Sequence, residues 1–321
     1  DILPVIPSQG SVGASGDLAP FAHMALPLIG EGRVKVDGAI VLAADAGLAP
    51  LALQAKEGLS LLNGTEGMTA MGVLPLHEAH QLLIAADAAC AMTIEAMMES
   101  ARPFREDVHL LRPHPGQIAS ARRIASLIDG SPIGASHEHD FDHAVQDAYS
   151  LRCAPQVHGA VADTLDHMEA VLSREMESVV DNPIVFPETG EVVSGGNFHG
   201  QPLAFVLDFA AIAVSELASI SERRTDRLLD PARSRGLPAF LASNPGVQSG
   251  YMIGQYVQAA LVAENKVLAH PAAVDTIPTP GNQEDHVWMG GGAGVKLNQI
   301  LGNARKVVAI EILCAAQGIE Y

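Results

Sequence analysis

Apolar residues return every three or four positions over long stretches of this chain. In 159–180 they are Val161, Leu165, Met168, Leu172, Met176 and Val179; in 202–221 they are Leu203, Leu207, Ala210, Val214 and Leu217. Such spacing lays one apolar stripe along each helix. Val295, Leu297, Leu301, Ala304 and Val308 begin another near the C-terminus. Residues 66–99 hold one proline, Pro75, among strong helix formers, and they predict a helix as well. Period-two alternation is confined to short pieces. Residues 34–36 and 39–42 flank Asp37-Gly38, a pair suited to a tight turn with positive φ, and residues 184–186 and 192–193 flank Thr189-Gly190. Residues 1–20 are rich in Gly, Pro and Ser and predict an irregular loop. The pattern therefore predicts an all-α class: a long-helix bundle over about 55–321 with small β-hairpins, in a single domain over 1–321. So many apolar stripes leave surface that one chain cannot cover alone, so an oligomer is expected.

Composition narrows the partners. The 321 residues are 48% hydrophobic and 17% charged, which suits a chain with a large buried core. Thirty-seven acidic residues against 19 basic ones give a net charge of −18, which repels a phosphate backbone and argues against nucleic acid. The longest apolar run, 68–98, carries His77, Glu78, His80 and Asp87, which argues against a membrane span there. Cys90, Cys153 and Cys314 are far apart and form no CxxC pair, so a reducing, cytoplasmic compartment is expected. The chain opens on Asp1 without a Met or a helix cap and reads as a fragment. The polar stretch 137–143 holds three His and three carboxylates, but not at His-Glu-x-x-His spacing; it is read as a solvated loop, and no metal is expected.

The chemistry lies at the start, in Gly10-Ser11-Val12-Gly13-Ala14-Ser15-Gly16-Asp17-Leu18-Ala19-Pro20. No Gly-Lys-Ser/Thr follows, so this is no phosphate-binding loop, and the spacing is not that of a nucleophile elbow. A plain flexible loop is the bland alternative. If the chain bends tightly, however, the Gly16 amide nitrogen can attack the Ala14 carbonyl carbon and close a five-membered ring. Glycine suits that step because it lacks a Cβ. Loss of the former Ala14 carbonyl oxygen as one water and of the Ser15 hydroxyl as a second then leaves an exocyclic methylene, a carbon electrophile that no ordinary side chain supplies.

This loop resembles the signature of the aromatic amino acid ammonia-lyase family. Four further blocks resemble that family in the same order: Lys56-Glu57-Gly58-Leu59-Ser60-Leu61-Leu62-Asn63-Gly64-Thr65, Gln146-Asp147-Ala148-Tyr149-Ser150-Leu151-Arg152-Cys153, Gly195-Gly196-Asn197-Phe198-His199 and Asn282-Gln283-Glu284-Asp285-His286. The resemblance implies a 4-methylidene-imidazol-5-one (MIO) group made autocatalytically from Ala14, Ser15 and Gly16, with no metal or nucleotide. It implies an enzyme that expels ammonia from an amino acid, and a homotetramer whose sites draw on several subunits. It also implies that a segment preceding the loop, with the tyrosine usually proposed as the β-proton base, and helices beyond Tyr321 are missing here.

Residue roles come from the same resemblance. Arg152 would pair with the substrate carboxylate, for which a planar guanidinium fork is suited. Tyr149, three residues earlier, would share its face if the stretch is helical and would assist proton transfer or ring formation. Asn63 would hold the amine or carboxylate, Gln146 would face the substrate ring, and Phe198 would pack near the prosthetic group. Glu284 resembles the histidine-lyase version of its block, because a carboxylate can accept an imidazole N–H or stabilise its cation. The implied reaction converts L-histidine to urocanate and ammonia. A tyrosine or phenylalanine lyase, an aminomutase, or an inactive structural subunit are the alternatives.

Overall fold

In the computed structural model, residues 1–137 and 146–321 are described. The stretch 138–143, expected to be a solvated polar loop, lies outside them. His137 is described: it ends a short helix, with its Nδ1 2.8 Å from the Ile133 carbonyl.

The helices expected from periodicity are present. In chain order they are α1 (Leu18–Ala25), α2 (Glu57–Ser60), α3 (Glu66–Ala96), α4 (Glu106–Leu110), α5 (Pro115–Ile128) and α6 (Pro132–His137). Then come α7 (Tyr149–Arg152), α8 (Ala154–Met176), α9 (Gln201–Leu229), α10 (Met252–Leu268) and α11 (Gly290–Ile319). Helix α3 continues through Pro75, which removes one amide donor without ending the helix. On α9 every residue of the predicted stripe is buried, and on α8 the buried stripe runs from Val161 to Leu172. Met176 and Val179 are exposed instead, because α8 ends at Met176 and the chain leaves the helix there. Helix α9 is long and apolar enough to cross a membrane by length and composition, and 67% of its most apolar stretch is buried inside the protein.

The β content exceeds the expectation in one place. Strands β2 (Arg33–Val36) and β3 (Ala39–Leu42) form the predicted hairpin, but Ile2–Pro4 adds a third strand, β1, antiparallel to β2 with Ile2 opposite Val36. Residues 1–20 are thus not wholly irregular. The apolar pair Ile2-Leu3 can pair with β2, and an edge strand tolerates Pro4, which lacks an amide donor. Strands β4 (Ile184–Phe186) and β5 (Glu191–Val193) form the second predicted hairpin.

The chain divides into two compact units. Unit 1 comprises Asp1–Leu74, Met168–Asp208 and Pro271–Lys296. It buries Phe21, Met68, Met168, Leu172, Leu203 and Trp288. Unit 2 comprises Pro75–His167, Phe209–His270 and Leu297–Tyr321. Its core includes Ile94, Met97, Phe104, Ile124, Leu151, Leu228, Leu241 and Cys314. Through Leu151, the short helix α7 is rooted in that core.

Candidate active site

Unit 1 carries the tripeptide. Ser15 has φ +55°, and Gly16 has φ +118°. Ala14 and Asp17 bridge to one another, so the chain doubles back over the three residues. Gly16 also bridges to Gly64, and there a Cβ would lie 2.6 Å from both the backbone nitrogen and the backbone oxygen of Gly64. Both the positive φ and the absence of room demand glycine at 16. A residue with a side chain would push the Asn63-Gly64 turn away. The strained, sterically enforced bend fits a ring drawn from Ala14, Ser15 and Gly16.

Asp17 comes next in the chain and is buried. The Ser11 hydroxyl donates to its Oδ1, while its Oδ2 has no hydrogen-bond partner among the described residues. Burial pushes its carboxyl above the usual carboxylate range, against the pull of the Ser11 hydroxyl. Behind the loop, the Trp288 indole presses against Gly13, where a Cβ would come within 2.7 Å of its ring. The Met289 amide donates to the Val12 carbonyl at 3.2 Å. These contacts tie the segment after Glu284 to the tripeptide loop.

Asn63 is buried and its orientation is set from behind. Its Nδ2 donates to Asp181 Oδ1 and to the Asn182 carbonyl, each at 2.9 Å. Both amide hydrogens are thereby used, and Oδ1 is left buried without a partner among the described residues. Asp181 also pairs with Lys56 and accepts from Ser60. Burial pushes the Asp181 carboxyl up, but Lys56, Ser60, Asn63 and the Asn182 amide outweigh it and hold it at about 2. Glu284 repeats the theme: its Oε2 is buried and unpartnered among the described residues. Phe198 packs beside Trp288, with ring centroids 6.5 Å apart, and the next residue, His199, stacks on His286 at 5.8 Å.

Unit 2 carries the second set. Tyr149 and Arg152 stand on α7, and the Arg152 guanidinium lies 4.6 Å from the Tyr149 ring centroid. Arg152 Nε donates to the Asp147 carbonyl and Nη2 donates to Gln146 Oε1, both at 2.8 Å. Among the described residues, these contacts employ two of the five guanidinium N–H groups. Tyr149 itself is 71% exposed. Beneath α7 the Arg224 guanidinium, fully buried, reaches the Ser150 carbonyl at 3.3 Å while pairing with Glu311 through Nε and Nη2.

Each set is assembled within its own unit: the tripeptide, Asn63, Phe198 and Glu284 in unit 1, and Gln146, Tyr149 and Arg152 in unit 2. Sequence reasoning missed Asp17, Asp181 and Trp288. Asp17 belongs to the loop 10–20 and was legible as a carboxylate beside the tripeptide. Asp181 acts over 118 residues, and no local signal announces it.

Known proteins resemble this chain over its whole length. A histidine ammonia-lyase of Deinococcus radiodurans is 59% identical, the alignment covering 100% of this chain and 62% of that protein. The chain thus spans less than two thirds of that relative's length. The crystal structure of histidine ammonia-lyase from Trypanosoma cruzi superposes with a TM-score of 0.90 at 43% identity, covering 99% of this chain and 60% of the other. Tyrosine aminomutase from Streptomyces globisporus gives 0.92 at 41% identity, covering 99% and 64%. The aromatic amino acid lyase profile matches residues 1–321. With the whole chain matched, it belongs to the aromatic amino acid lyase family.

Proposed function

We propose that the protein is an ammonia-lyase that converts L-histidine to urocanate and ammonia, using an MIO group formed from Ala14, Ser15 and Gly16. The observation that carries the substrate is Glu284, whose Oε2 is buried and unpartnered among the described residues. A buried carboxylate oxygen without a donor is costly, and an imidazole N–H supplies one where a phenyl ring cannot. Names of relatives support the same choice.

The MIO group supplies a carbon electrophile for the substrate amine, which makes ammonia easier to expel. The chain's own residues do the rest. Arg152 presents two further N–H groups to the substrate carboxylate in a bidentate fork. Asn63 offers Oδ1, aimed by Asp181, to the ammonium group. Tyr149, held against Arg152, moves a proton at its phenolic oxygen. Gln146 faces the substrate ring, Phe198 packs near the prosthetic group, and Gly16, pressed on Gly64, keeps the tripeptide bent. Exposed apolar side chains such as Ile253, Val257 and Val267 on α10 support an oligomer, which we take to be the family homotetramer.

Incubating the full-length protein with histidine, tyrosine and phenylalanine and measuring urocanate or cinnamate absorbance tests this reading. Urocanate from histidine is expected. Preferential turnover of tyrosine, or a β-amino acid product, would overturn it.

A further inference from the structure

We propose that Glu99, Asp147 and Arg235 form a clamp that positions segment 146–152. The proposal rests on the reading that Arg152 binds the substrate carboxylate. All three residues lie in unit 2, and none belongs to the candidate active site.

One guanidinium nitrogen serves two carboxylates. Arg235 Nη2 stands 3.1 Å from Glu99 Oε2 and 3.2 Å from Asp147 Oδ1, and the side chains of Glu99 and Asp147 are only 1% and 6% exposed. Two buried carboxylates this close repel one another's charge, which favours a proton on one of them. Glu99 is that acid. Burial pushes its carboxyl up, the hydrogen bond to Asp147 and the Asp147 charge push it further, and Arg235 and Arg227 pull back, leaving it at about 8. Among the described residues, the charged or titratable groups facing Glu99 are Asp147, Arg235 and Arg227, with His137 Nε2 at 3.3 Å from its backbone oxygen.

The clamp is braced on both sides. Arg235 Nη1 donates to the Met98 carbonyl at 2.6 Å, and the Ser100 amide donates to Asp147 Oδ2 at 2.9 Å. Met98 and Arg235 both adopt positive φ, +48° and +54°, a conformation that non-glycine residues keep only when their surroundings enforce it. Asp147 then passes this rigidity on. Its carbonyl takes the Arg152 Nε hydrogen bond, and its neighbour Gln146 takes the one from Nη2. Glu99, Asp147 and Arg235 are positioning residues, since none of them offers the ligand an atom.

Three variants of the full-length protein, assayed with histidine, separate the outcomes. Glu99→Leu removes one of the two carboxylates that Arg235 holds together, and KM should rise on the order of tenfold with kcat changed much less. Glu99→Gln keeps a donor to Asp147 and an acceptor for Arg235, so it should restore the wild-type KM at pH 7. Because Gln cannot ionise, the ratio of its kcat/KM to that of the wild type should climb as pH rises through about 8. Arg152→Ala reports on the underlying reading, and its KM should rise strongly. A defective Arg152→Ala beside a Glu99→Leu with normal KM would overturn the clamp alone. An Arg152→Ala with normal KM would overturn the carboxylate-binding reading and the clamp with it. If Glu99→Leu fails to fold, the Glu99→Gln pH comparison decides: a profile parallel to wild type overturns the proposal.

Discussion

The Glu311 and Asp87 networks of unit 2 bury their charges differently from the surroundings of the tripeptide in unit 1. In unit 2, Glu311 takes Nε and Nη2 of Arg224 and the hydroxyls of Thr93 and Ser221. Asp87 takes Ser120, Arg123 and His158. Each of these buried carboxylates meets a cation and further donors. In unit 1, Asp17 and Glu284 each keep one buried oxygen without a partner among the described residues, and so does the amide of Asn63. Such groups are expensive to bury. The difference teaches where chemistry belongs. Completed networks such as that of Glu311 hold a fold, whereas unpaired groups gathered in the same unit as the bent tripeptide are preorganised for a ligand.

The sharpest way to break this comparison is at the tripeptide. Ser15→Ala removes the hydroxyl whose loss creates the electrophilic methylene, and turnover should fall below detection while circular dichroism and thermal unfolding stay near wild type. Retained turnover would end the account of unit 1. In unit 2 the converse holds: Arg224→Ala strands Glu311 in the core and should destabilise the fold by about 3–5 kcal/mol in urea unfolding. A loss below about 1 kcal/mol would show that this network is not a structural one. Next in size, Glu284→Gln should cost about 1.5–3 kcal/mol in kcat/KM on histidine, roughly ten- to a hundredfold, and much less on phenylalanine. Equal losses on both would remove the imidazole contact.

The smallest effects are those of pH. Asp181 is held at about 2 against 3.8 unfolded, so its stabilisation is present above about pH 4 and is lost as pH falls towards 2. Glu99 works the other way. With its folded carboxyl at about 8 against 4.5 unfolded, the native state keeps the proton longer, and stability declines as pH rises between those values. Thermal unfolding of Asp181→Asn and Glu99→Gln across pH should flatten the first and second slopes respectively. Unchanged slopes would separate these carboxylates from the pH dependence.

Much of the fold was legible because amphipathic periodicity is a local property. The stripes of α8 and α9 and both hairpins were read from spacing and turn residues. Strand β1 was not, since a three-residue edge strand exists only through its pairing with β2. The tripeptide was legible as chemistry, but the reason Gly16 must be glycine was not. That reason is the backbone of Gly64, 48 residues on, pressed against it. Likewise Asn63 reads as a turn residue in isolation, and its amide is aimed only by Asp181 and Asn182 across a long chain separation. The Asp147–Arg235 pair spans 88 positions and left no trace in local pattern. Electrostatic networks assemble from distant residues one at a time, with no period to betray them.

The central claim is that the bend at Ala14, Ser15 and Gly16 exists to close a ring. Intact mass of the purified full-length protein, compared with its Ser15→Ala variant, tests it most directly. The wild type should be two water molecules lighter than its sequence, and the variant, unable to form the methylene, should not show that full loss. A wild type at its full sequence mass that still turns over histidine would contradict the account.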